Sequence, residues 1–340
     1  MKVAMYYSNS DVRLEEMKKP KAGKGEILLK VMASGICGSD IMEWYRIKKA
    51  PLVLGHEVAG DIAEVGEGVT GFRVGDRVTV THHVPCGDCN YCRDDNSTMC
   101  ETLRTTKFYP GGFSEYLRVP GINVKKGTLI LPKSVSYNEG TFVEPLGCVI
   151  RGQRKAQVKK NHNVLVLGSG LSGLLHIKLA KAIGCRNVIA TDVSADRRKA
   201  ALKSGADSVI DANENVPEKL MELNNGRLAD RVIVCTGAAQ AFGQALESVD
   251  RGGTVLFFAS MKPDERLPVP VEHLWKNGIS IVTTYAADMK DLQDALRLIE
   301  EKTVTVGDMV THELPLEKIG EGFRLFASGK SIKVIIKPYQ

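Results

Sequence analysis

The chain has 340 residues, of which 43% are hydrophobic and 25% are charged, and its formal net charge is +6. This length favours two domains, and the composition excludes a disordered chain. Lys and Arg alternate with Asp and Glu instead of forming blocks, so we expect a small-molecule partner and no nucleic acid.

The N-terminus lacks the apolar core of a signal peptide, and no segment approaches the roughly 20 apolar residues that cross a bilayer. We therefore expect a cytoplasmic protein that does not contact a membrane. In that reducing compartment the eight cysteines are expected to bind metal rather than to form disulfides.

The predicted elements change in kind along the chain. Short alternating hydrophobic runs such as EILLKVMAS and VAGDIAEVG, broken by Gly and Pro, predict a β-rich, barrel-like first domain. From Asn163, apolar strands, glycine turns and helices follow one another, which predicts a doubly wound parallel sheet. After Tyr285, a helix near MKDLQDALRLIEE and a closing strand in SIKVIIKP are expected to pack back onto the first domain.

Four cysteines share one loop in the order C-x2-C-x2-C-x7-C: Cys86, Cys89, Cys92 and Cys100. Four thiolates favour tetrahedral zinc, and a filled shell of sulfur leaves no position for a substrate. We therefore predict a structural zinc site. An iron–sulfur cluster and redox-active cysteines are the alternatives.

A second set of metal-ligand types comprises Cys37 in SGICGSD and His56 and Glu57 in LVLGHEVAG. A thiolate, an imidazole and a carboxylate with an open fourth position are typical of catalytic zinc. Taken singly, Cys37 is more often a small buried hydrophobe, and His56 is more often a hydrogen-bonded core histidine.

A glycine turn follows the predicted strand NVLVL and opens a helix. Glycine lets the backbone approach a pyrophosphate, whose charge is received by the N–H groups at the helix N-terminus. The predicted dinucleotide-binding residues of this turn are Gly168, Gly170, Leu171, Ser172 and Gly173.

Asp192 ends the next predicted strand about 20 residues later, where a carboxylate binds the adenosine ribose and repels a 2′-phosphate. NAD is therefore predicted in preference to NADP. Arg197 and Arg198 weaken this preference, because an arginine can stack on adenine or neutralise a phosphate, although surface charge is the commoner role for both.

The motifs CGSD, GHE, the four-cysteine loop, GGFSEY, EPLG and GSGLSG occur in this order along the chain. Over essentially the whole chain they resemble zinc-dependent medium-chain alcohol dehydrogenases, nearest the sorbitol (polyol) and threonine dehydrogenase branch. The resemblance implies an α/β protein with a GroES-like catalytic domain at residues 1–150, onto which residues 286–340 pack, and a Rossmann domain at residues 151–285. It also implies two zinc ions per chain, a homodimer or homotetramer, and hydride transfer between a secondary alcohol and NAD.

By this resemblance Cys37 and His56 match the ligands of the catalytic zinc. Glu57 matches a ligand that moves on and off the metal, and Glu144 of FVEPLG matches one that binds it directly or through water. Which glutamate is bound stays open. The apolar neighbours of Glu144 predict that its carboxylate is buried and needs a partner.

Ser39 matches the hydroxyl that takes the substrate proton, and Asp40 matches the carboxylate that orients the zinc-binding histidine. Capping of a turn is the alternative role for Ser39. Many relatives continue the proton relay with a histidine at the position of Met42, so an exit through water, Glu43 or a cofactor hydroxyl stays open.

Cys235, Thr236 and Gly237 in VIVCTG resemble the segment beside the nicotinamide, although Cys235 is equally well explained as strand core. Two other functions remain to be tested. A zinc-free quinone or enoyl reductase would share the fold, and a zinc-stabilised binding protein would need no catalytic metal.

In the family that this chain resembles, a longer segment usually separates the cysteine from GHE. The segment after Cys37 is shorter here, which predicts a more open cleft and a substrate larger or more polar than ethanol. A polyol, cyclitol, sugar derivative or hydroxy amino acid fits this expectation. Trp44, Tyr45 and Arg46 either line the substrate pocket or form an exposed loop, and in a pocket Arg46 would favour a carboxylate or phosphate.

Overall fold

The computed structural model describes residues 1–340 and divides the chain into two compact units. Unit 1 comprises residues 1–147 and 286–340, and unit 2 comprises residues 148–285. The strands are β1 Lys2–Ser8, β2 Asp11–Glu16, β3 Ile27–Gly35, β4 Leu52–Val53, β5 Glu57–Val65, β6 Arg77–Val80, β7 Tyr116–Val119, β8 Thr128–Ile130, β9 Asn163–Leu167, β10 Asn187–Asp192, β11 Ser208–Asp211, β12 Ala229–Val234, β13 Val249–Phe257, β14 Ser280–Thr283, β15 Val310–Pro315 and β16 Lys333–Lys337.

The helices differ widely in length, and the shortest ones lie in unit 1. They are α1 Glu43–Arg46, α2 Asn90–Arg93, α3 Glu101–Thr105, α4 Gly121–Gly127, α5 Tyr137–Gly140, α6 Val143–Lys155, α7 Leu171–Ile183, α8 Ala195–Lys203, α9 Val216–Leu223, α10 Ala239–Ser248, α11 Val271–Asn277, α12 Met289–Glu300 and α13 Ile319–Ala327. Short 3-10 turns occur at Gly38–Ile41, Ile47–Lys49, Ser97–Met99, Gly307–Met309 and Leu316–Lys318. None of these helices combines the length and the apolar character needed to span a bilayer.

Unit 2 contains a six-stranded parallel sheet in the order β11-β10-β9-β12-β13-β14. Its central strand, β9, is buried at every position, as expected for a parallel strand covered on both faces. The chain moves outward from β9 to β11 and then returns to β12, so the direction of winding changes between β9 and β12. Ligands of such sheets bind at this change of direction. The predicted Rossmann-type parallel sheet is confirmed.

Unit 1 contains a seven-stranded sheet in the order β15-β16-β3-β5-β6-β8, with β7 also paired to β3, and a smaller sheet in the order β2-β1-β4. Strand β16, from the C-terminal part of the chain, pairs antiparallel with β3. The predicted GroES-like, β-rich domain is confirmed by a matching family model.

Strand β3 lies between β16 and β5 and contributes to one of the two hydrophobic clusters of unit 1. Ile27, Leu29 and Val31 pack with residues of β5, β6 and β7, while Ile36, just after β3, packs with Phe323 and other residues of the second cluster. Burying an aliphatic side chain of this size contributes about 1.5–3 kcal/mol. The carboxyl end of β3 is therefore held in a fixed position by both clusters.

Candidate functional site

Cys37, His56 and Glu57 lie at the same end of two paired strands. Gly35, the last residue of β3, is opposite Glu57, the first residue of β5, in an antiparallel register. His56 directly precedes β5, and Cys37 precedes the 3-10 turn at Gly38–Ile41. As a result, ligand atoms of the cysteine, the histidine and the glutamate lie within 4.8 Å of one another.

The donor set and its charge fit a zinc ion. Thiolate, imidazole and carboxylate are all zinc ligands, and three protein ligands leave one tetrahedral position for a substrate. Burial alone would lower the pKa of His56, but the charges of Asp40 and Cys37 raise it well above its usual value. The site therefore stabilises positive charge. The Oε1 atom of Glu57 is also buried without a hydrogen-bond partner, which suits a cation.

Asp40 lies beside the His56 imidazole. Its Oδ1 is 3.5 Å from Nδ1 of His56, and its Oδ2 accepts a 3.0 Å hydrogen bond from the Cys37 backbone N–H. Burial would raise the pKa of Asp40, but the charges of His56 and Arg46 lower it. The carboxylate thus stays ionised next to Nδ1 and leaves Nε2 of the imidazole for a metal.

Ser39 contacts both Cys37 and Arg46. Its hydroxyl donates to the Cys37 sulfur at 3.5 Å and accepts a 2.9 Å hydrogen bond from Nη2 of Arg46. Nε of Arg46 donates to the Ser39 carbonyl, also at 2.9 Å. Trp44, Tyr45 and Arg46 were considered either as pocket lining or as an exposed loop. Arg46 is bonded to Ser39, and Trp44 is 38% exposed.

Sequence analysis did not identify Lys333 as the partner of Glu57. Nζ of Lys333, at the start of β16, forms an ion pair with Oε2 of Glu57, although the two residues are 276 positions apart. Both side chains are fully buried. Lysine is almost never buried without a partner, so its place in the apolar run KVIIK was a signal of pairing. That signal does not say which acid is the partner.

Two further histidines, which sequence analysis also missed, lie beside His56. The ring centroids of His82 and His56 are 4.8 Å apart, and those of His82 and His83 are 3.6 Å apart. Burial lowers the pKa of His82 well below its usual value and that of His83 to about 3. Both rings are therefore neutral near pH 7, and a neutral imidazole can both donate and accept hydrogen bonds. The adjacent pair in VTHHVPC was the available sequence signal.

The four loop cysteines form a compact cluster of free thiols. The sulfur of Cys86 is 3.9 Å from that of Cys92 and 3.6 Å from that of Cys100, and the Cys89 and Cys92 sulfurs are 3.5 Å apart. A tetrahedral ion with zinc–sulfur bonds of about 2.3 Å separates its sulfurs by about 3.8 Å. The backbone N–H groups of Cys86 and Gly87 donate to sulfurs at 3.4 Å. This geometry fits a zinc ion.

Glu144 is not part of the Cys37 cluster. It lies half-buried in the first turn of α6, and the ligand atoms within 4.8 Å of one another are those of Cys37, His56 and Glu57. Its role at the metal therefore stays a prediction.

The glycine turn connects β9 to α7 in unit 2. Gly168 has a φ of +93°, in the left-handed region that favours glycine. A Cβ at Gly173 would collide with the Gly168 carbonyl oxygen, and one at Gly170 would lie 2.7 Å from Nη1 of Arg197. Leu171 and Ser172 begin α7, whose first N–H groups have no partners within the helix. The turn thus fits the close approach of a pyrophosphate.

Asp192, the last residue of β10, lies next to the glycine turn. Its two carboxylate oxygens accept 2.9 Å hydrogen bonds from the backbone N–H groups of Ser169 and Ser194. Arg198 donates to the Asp192 carbonyl and pairs with Asp211 at 3.0 Å. Arg198 is therefore held by these groups, and Arg197 is the arginine beside the turn.

Strand β12 is adjacent to β9 in the sheet and ends at Val234, in the middle of the segment VIVCTG. The backbone N–H of Cys235 donates to the Leu167 carbonyl at 2.8 Å, and a Cβ at Gly168 would lie 3.1 Å from the Cβ of Thr236. Burial raises the pKa of Cys235, so this side chain stays a neutral thiol. Thr236 and the following Gly237 thus lie on the side of the turn that faces β12.

Comparisons with known proteins place this architecture in one family. A model described as alcohol dehydrogenase GroES-like domain matches residues 23–128, and one described as zinc-binding dehydrogenase matches residues 173–301. Sorbitol dehydrogenase from Halalkalibacterium halodurans is 34% identical over 332 residues, which cover 96% of this chain and 95% of that protein. L-threonine 3-dehydrogenase from Pyrococcus abyssi is 35% identical over 340 residues, which cover 95% and 94%.

A solved structure from Sinorhizobium meliloti 1021, described as a candidate zinc-binding dehydrogenase and bound to NADP, has a TM-score of 0.90. It is 25% identical, and the match covers 99% of both chains. The chain belongs to the zinc-dependent medium-chain alcohol dehydrogenase family, as its motifs predicted. It is a zinc-dependent oxidoreductase that acts on an alcohol or polyol.

Proposed function

We propose that the enzyme oxidises a secondary alcohol group of a polyol, cyclitol, sugar derivative or hydroxy amino acid, with NAD as the hydride acceptor. The main support is the Cys37–His56–Glu57 cluster, whose three ligand types leave a coordination position for a substrate oxygen. Similarity to sorbitol dehydrogenase and L-threonine 3-dehydrogenase supports the substrate class. The neutral imidazoles of His82 and His83 next to this cluster suit a substrate with several hydroxyl groups.

The enzyme would hold two zinc ions per chain. One is a structural ion at the four loop cysteines, and the other is a catalytic ion at Cys37 and His56. When bound, the catalytic zinc supplies Lewis acidity, which lowers the pKa of an alcohol oxygen. Only Oε2 of Glu57 is paired with Lys333, and its Oε1 has no hydrogen-bond partner, so Glu57 is proposed as the carboxylate ligand, with Glu144 as the one that would act directly or through water when Glu57 leaves the metal.

The residues around the cluster would orient its ligands and handle the substrate proton. Asp40 fixes the His56 ring, and the Ser39 hydroxyl is close enough to Cys37 to reach a substrate oxygen beside it. Met42 cannot accept a proton. Glu43 accepts a 2.9 Å hydrogen bond from the Asn9 backbone N–H, which leaves water or a cofactor hydroxyl as the better exit.

NAD is proposed in preference to NADP because of Asp192. Its carboxylate is fixed beside the glycine turn by two backbone N–H groups, where it would accept hydrogen bonds from a ribose and repel a 2′-phosphate. The similar structure that contains NADP indicates that the fold alone does not decide between the two. The other proposed cofactor contacts come from the glycine turn, Arg197 and residues 235–237.

Residues 1–150 and 286–340 are assigned to the catalytic domain, and residues 151–285 to the dinucleotide-binding domain. The compact units at residues 1–147 with 286–340 and at residues 148–285 support this assignment.

A homodimer or homotetramer is proposed as the assembly. Strand β14 is an edge strand of the unit 2 sheet, and Val271 and Trp275 in α11 are 71% and 81% exposed. An unpaired strand edge and exposed aromatic surface are both features of protein interfaces. Sedimentation velocity of the parent protein and of Trp275→Lys tests the assembly.

The experiment that tests the function measures NADH formation by the zinc-replete protein with polyols, cyclitols, sugar phosphates, threonine and simple secondary alcohols. Each substrate is tested with NAD, with NADP and after chelation. Turnover that chelation abolishes, with NAD and one substrate class, is the expected result. Best turnover on short unbranched primary alcohols would overturn the substrate class.

Cys37→Ser separates this function from its alternatives. A zinc-free quinone or enoyl reductase would keep its activity in this variant, and a binding protein would have none to lose. We expect loss of alcohol oxidation with retained fold and retained NADH binding.

A further inference from the structure

Arg46, at the end of α1, bonds to two atoms of Ser39. Its Nε donates to the Ser39 carbonyl and its Nη2 donates to the Ser39 hydroxyl oxygen, both at 2.9 Å. Nη2 also lies 3.6 Å from Oδ1 of Asp40, and the Arg46 side chain is only 15% exposed. One guanidinium group therefore fixes the main chain and the side chain of the residue next to the Cys37 cluster.

The contact with Arg46 determines where the Ser39 hydroxyl can point. A guanidinium group only donates hydrogen bonds, so the Ser39 oxygen accepts from it and keeps its own hydrogen for another acceptor. In this structure that acceptor is the Cys37 sulfur, at 3.5 Å. Without Arg46, the hydroxyl would rotate among its staggered positions and lose this preference.

The same geometry argues against two other roles for Arg46. It cannot pass a proton outward from Ser39, because a guanidinium group in a protein stays protonated. The Nε–Nη2 edge, which would bind a substrate carboxylate or phosphate through two parallel hydrogen bonds, is bonded to Ser39 and lies beside Asp40, so this edge is not directed at a substrate. What remains is orientation of Ser39, together with a fixed positive charge next to it.

We propose that Arg46 is a positioning residue for the reaction at the Cys37 cluster. It holds Ser39 so that the O–H is directed toward the Cys37 sulfur and the Ser39 oxygen lies beside a substrate oxygen bound next to that sulfur. This inference rests on the proposed function, because it takes Cys37 and Ser39 as parts of the catalytic site. A proton-transfer group that is already held in place takes part in the reaction without further reorganisation.

The first test is a spectroscopic double-mutant cycle on cobalt-substituted protein. The sulfur-to-cobalt charge-transfer absorption of this cluster is the part of the spectrum that Cys37→Ser removes. A hydrogen bond to the sulfur raises the energy of that transition, so loss of the Ser39 donor moves the band to longer wavelength. We expect similar shifts in Arg46→Met and Ser39→Ala, and no further shift in the double variant.

The kinetic test uses the same variants in the zinc enzyme. Arg46→Met is expected to lower kcat for a neutral polyol by about 10- to 100-fold, with little change in KM. The double variant should be no slower than Ser39→Ala. Arg46→Lys should not restore kcat, because a single ammonium group does not reproduce the fork that bonds both atoms of Ser39.

Lys49→Met is the matched control for charge. Lys49 lies in the turn after α1, where its Nζ is 4.8 Å from the centre of the Tyr45 ring, and it makes no hydrogen bond to Ser39. This variant removes the same unit of positive charge from the same segment. We expect it to leave both the cobalt band and kcat unchanged.

A band that moves in Ser39→Ala but not in Arg46→Met would overturn the proposal, as would additive losses of kcat in the double variant. A rise in KM confined to substrates with a carboxylate or phosphate would also overturn it and would identify Arg46 as an anion anchor. If the Cys37-dependent band exists but no alcohol is oxidised, the proposed function fails while the band shifts still decide the role of Arg46. If no such band exists, both proposals fail.

Discussion

The two clusters of metal-ligand residues in unit 1 are built in different ways. The four cysteines belong to one loop, which alone brings their sulfurs to neighbouring separations of 3.5 to 3.9 Å. The Cys37 cluster joins the ends of β3 and β5, and its glutamate pairs with a lysine from β16, 276 positions away. The first cluster therefore orders its own loop, whereas the second depends on the whole sheet.

The two clusters also differ in how many ligands they offer. Four sulfurs complete a tetrahedral shell, whereas a thiolate, an imidazole and a carboxylate leave one position for a substrate. From this difference we expect the four-cysteine loop to contribute to stability and the Cys37 cluster to contribute to catalysis. Changes confined to one cluster should therefore alter one property and spare the other.

The largest expected effects come from removing one cysteine of each cluster. Cys92→Ser should lose one zinc per chain and unfold at a lower temperature, since a structural zinc in small peptides binds with about 10–16 kcal/mol. Cys37→Ser should lose the other zinc and about 1000-fold or more of kcat, which corresponds to several kcal/mol of transition-state stabilisation. Its unfolding temperature should fall less than that of Cys92→Ser, because the sheet holds the ends of β3 and β5 together without the ion.

Zinc content by atomic emission, scanning calorimetry and kcat are measured on both variants. Cys185→Ser is the control, because Cys185 is buried in unit 2 and belongs to neither cluster. A Cys92→Ser protein that kept two zinc ions and the parent unfolding temperature would contradict the structural role of the loop.

The next largest effect is expected at the buried ion pair that connects the Cys37 cluster to β16. Lys333→Met leaves the fully buried carboxylate of Glu57 without its counter-charge, and breaking such a pair costs about 3–5 kcal/mol of unfolding free energy. Glu57→Gln in the same chain should recover most of the loss. The midpoint of urea denaturation, followed by circular dichroism, measures both.

Lys337→Met is the control on the same strand. Lys337 is partly exposed and pairs with Glu313 at 3.5 Å, so its removal should cost no more than about 1 kcal/mol. Equal losses for Lys333→Met and Lys337→Met would show that the buried pair does not stabilise the sheet.

The contrast between the clusters explains how much of the site could be predicted from the sequence. The four-cysteine loop was predictable because all four ligands lie in one short segment. The ligand types at Cys37, His56 and Glu57 were recognisable, but Lys333 was not, because no local pattern says that β16 pairs with β3. Similarly, Arg46 was noticed as a residue, whereas the direction of its side chain toward Ser39 depends on how α1 follows the 3-10 turn.

The same reasoning applies to the fold. The parallel sheet of unit 2 was predictable because its strands are continuous apolar runs such as NVLVL and a glycine turn marks the switch to helix. The strand order of unit 1 was not, because the pairing of β16 with β3 joins segments that are distant in the sequence. Local patterns predict elements, and long-range pairing requires the three-dimensional structure.

A smaller effect is expected at Asp192, which lies in unit 2 and belongs to neither metal cluster. Asp192→Ser removes the charge that repels a 2′-phosphate and leaves Arg197 beside the glycine turn. The ratio of kcat/KM for NADP to that for NAD should rise by about 100-fold, or about 2.7 kcal/mol. Asp196→Ser, at a side chain that is 92% exposed, is the control and should leave the ratio unchanged. An unchanged ratio in Asp192→Ser would exclude Asp192 as the selector.

The smallest effect concerns a buried ionisable group that, unlike Lys333, has no partner of opposite charge. The ring of His176 in α7 is fully buried, its Nδ1 is 3.2 Å from Nε2 of Gln153, and the ring packs edge-on against Phe258 at 4.6 Å. Burial lowers its pKa from 6.5 to about 3. Below pH 6.5 the His176 imidazole therefore binds a proton in the unfolded chain but not in the folded chain.

The resulting stabilisation is complete above pH 6.5 and is lost as the pH falls toward 3, at a rate that approaches about 1.4 kcal/mol per pH unit. His176→Gln replaces the ring by an amide that does not titrate. The unfolding free energy of this variant is expected to be lower than that of the parent protein. The difference, measured by hydrogen exchange of α7 peptides, should shrink by about 2 kcal/mol between pH 7.5 and pH 5. At pH 7.5 the comparison reports packing alone and serves as the control. Parallel pH curves for the two proteins would mean that burial does not keep His176 neutral. The absence of a charged partner would then distinguish His176 from the paired Lys333 less than its buried surroundings indicate.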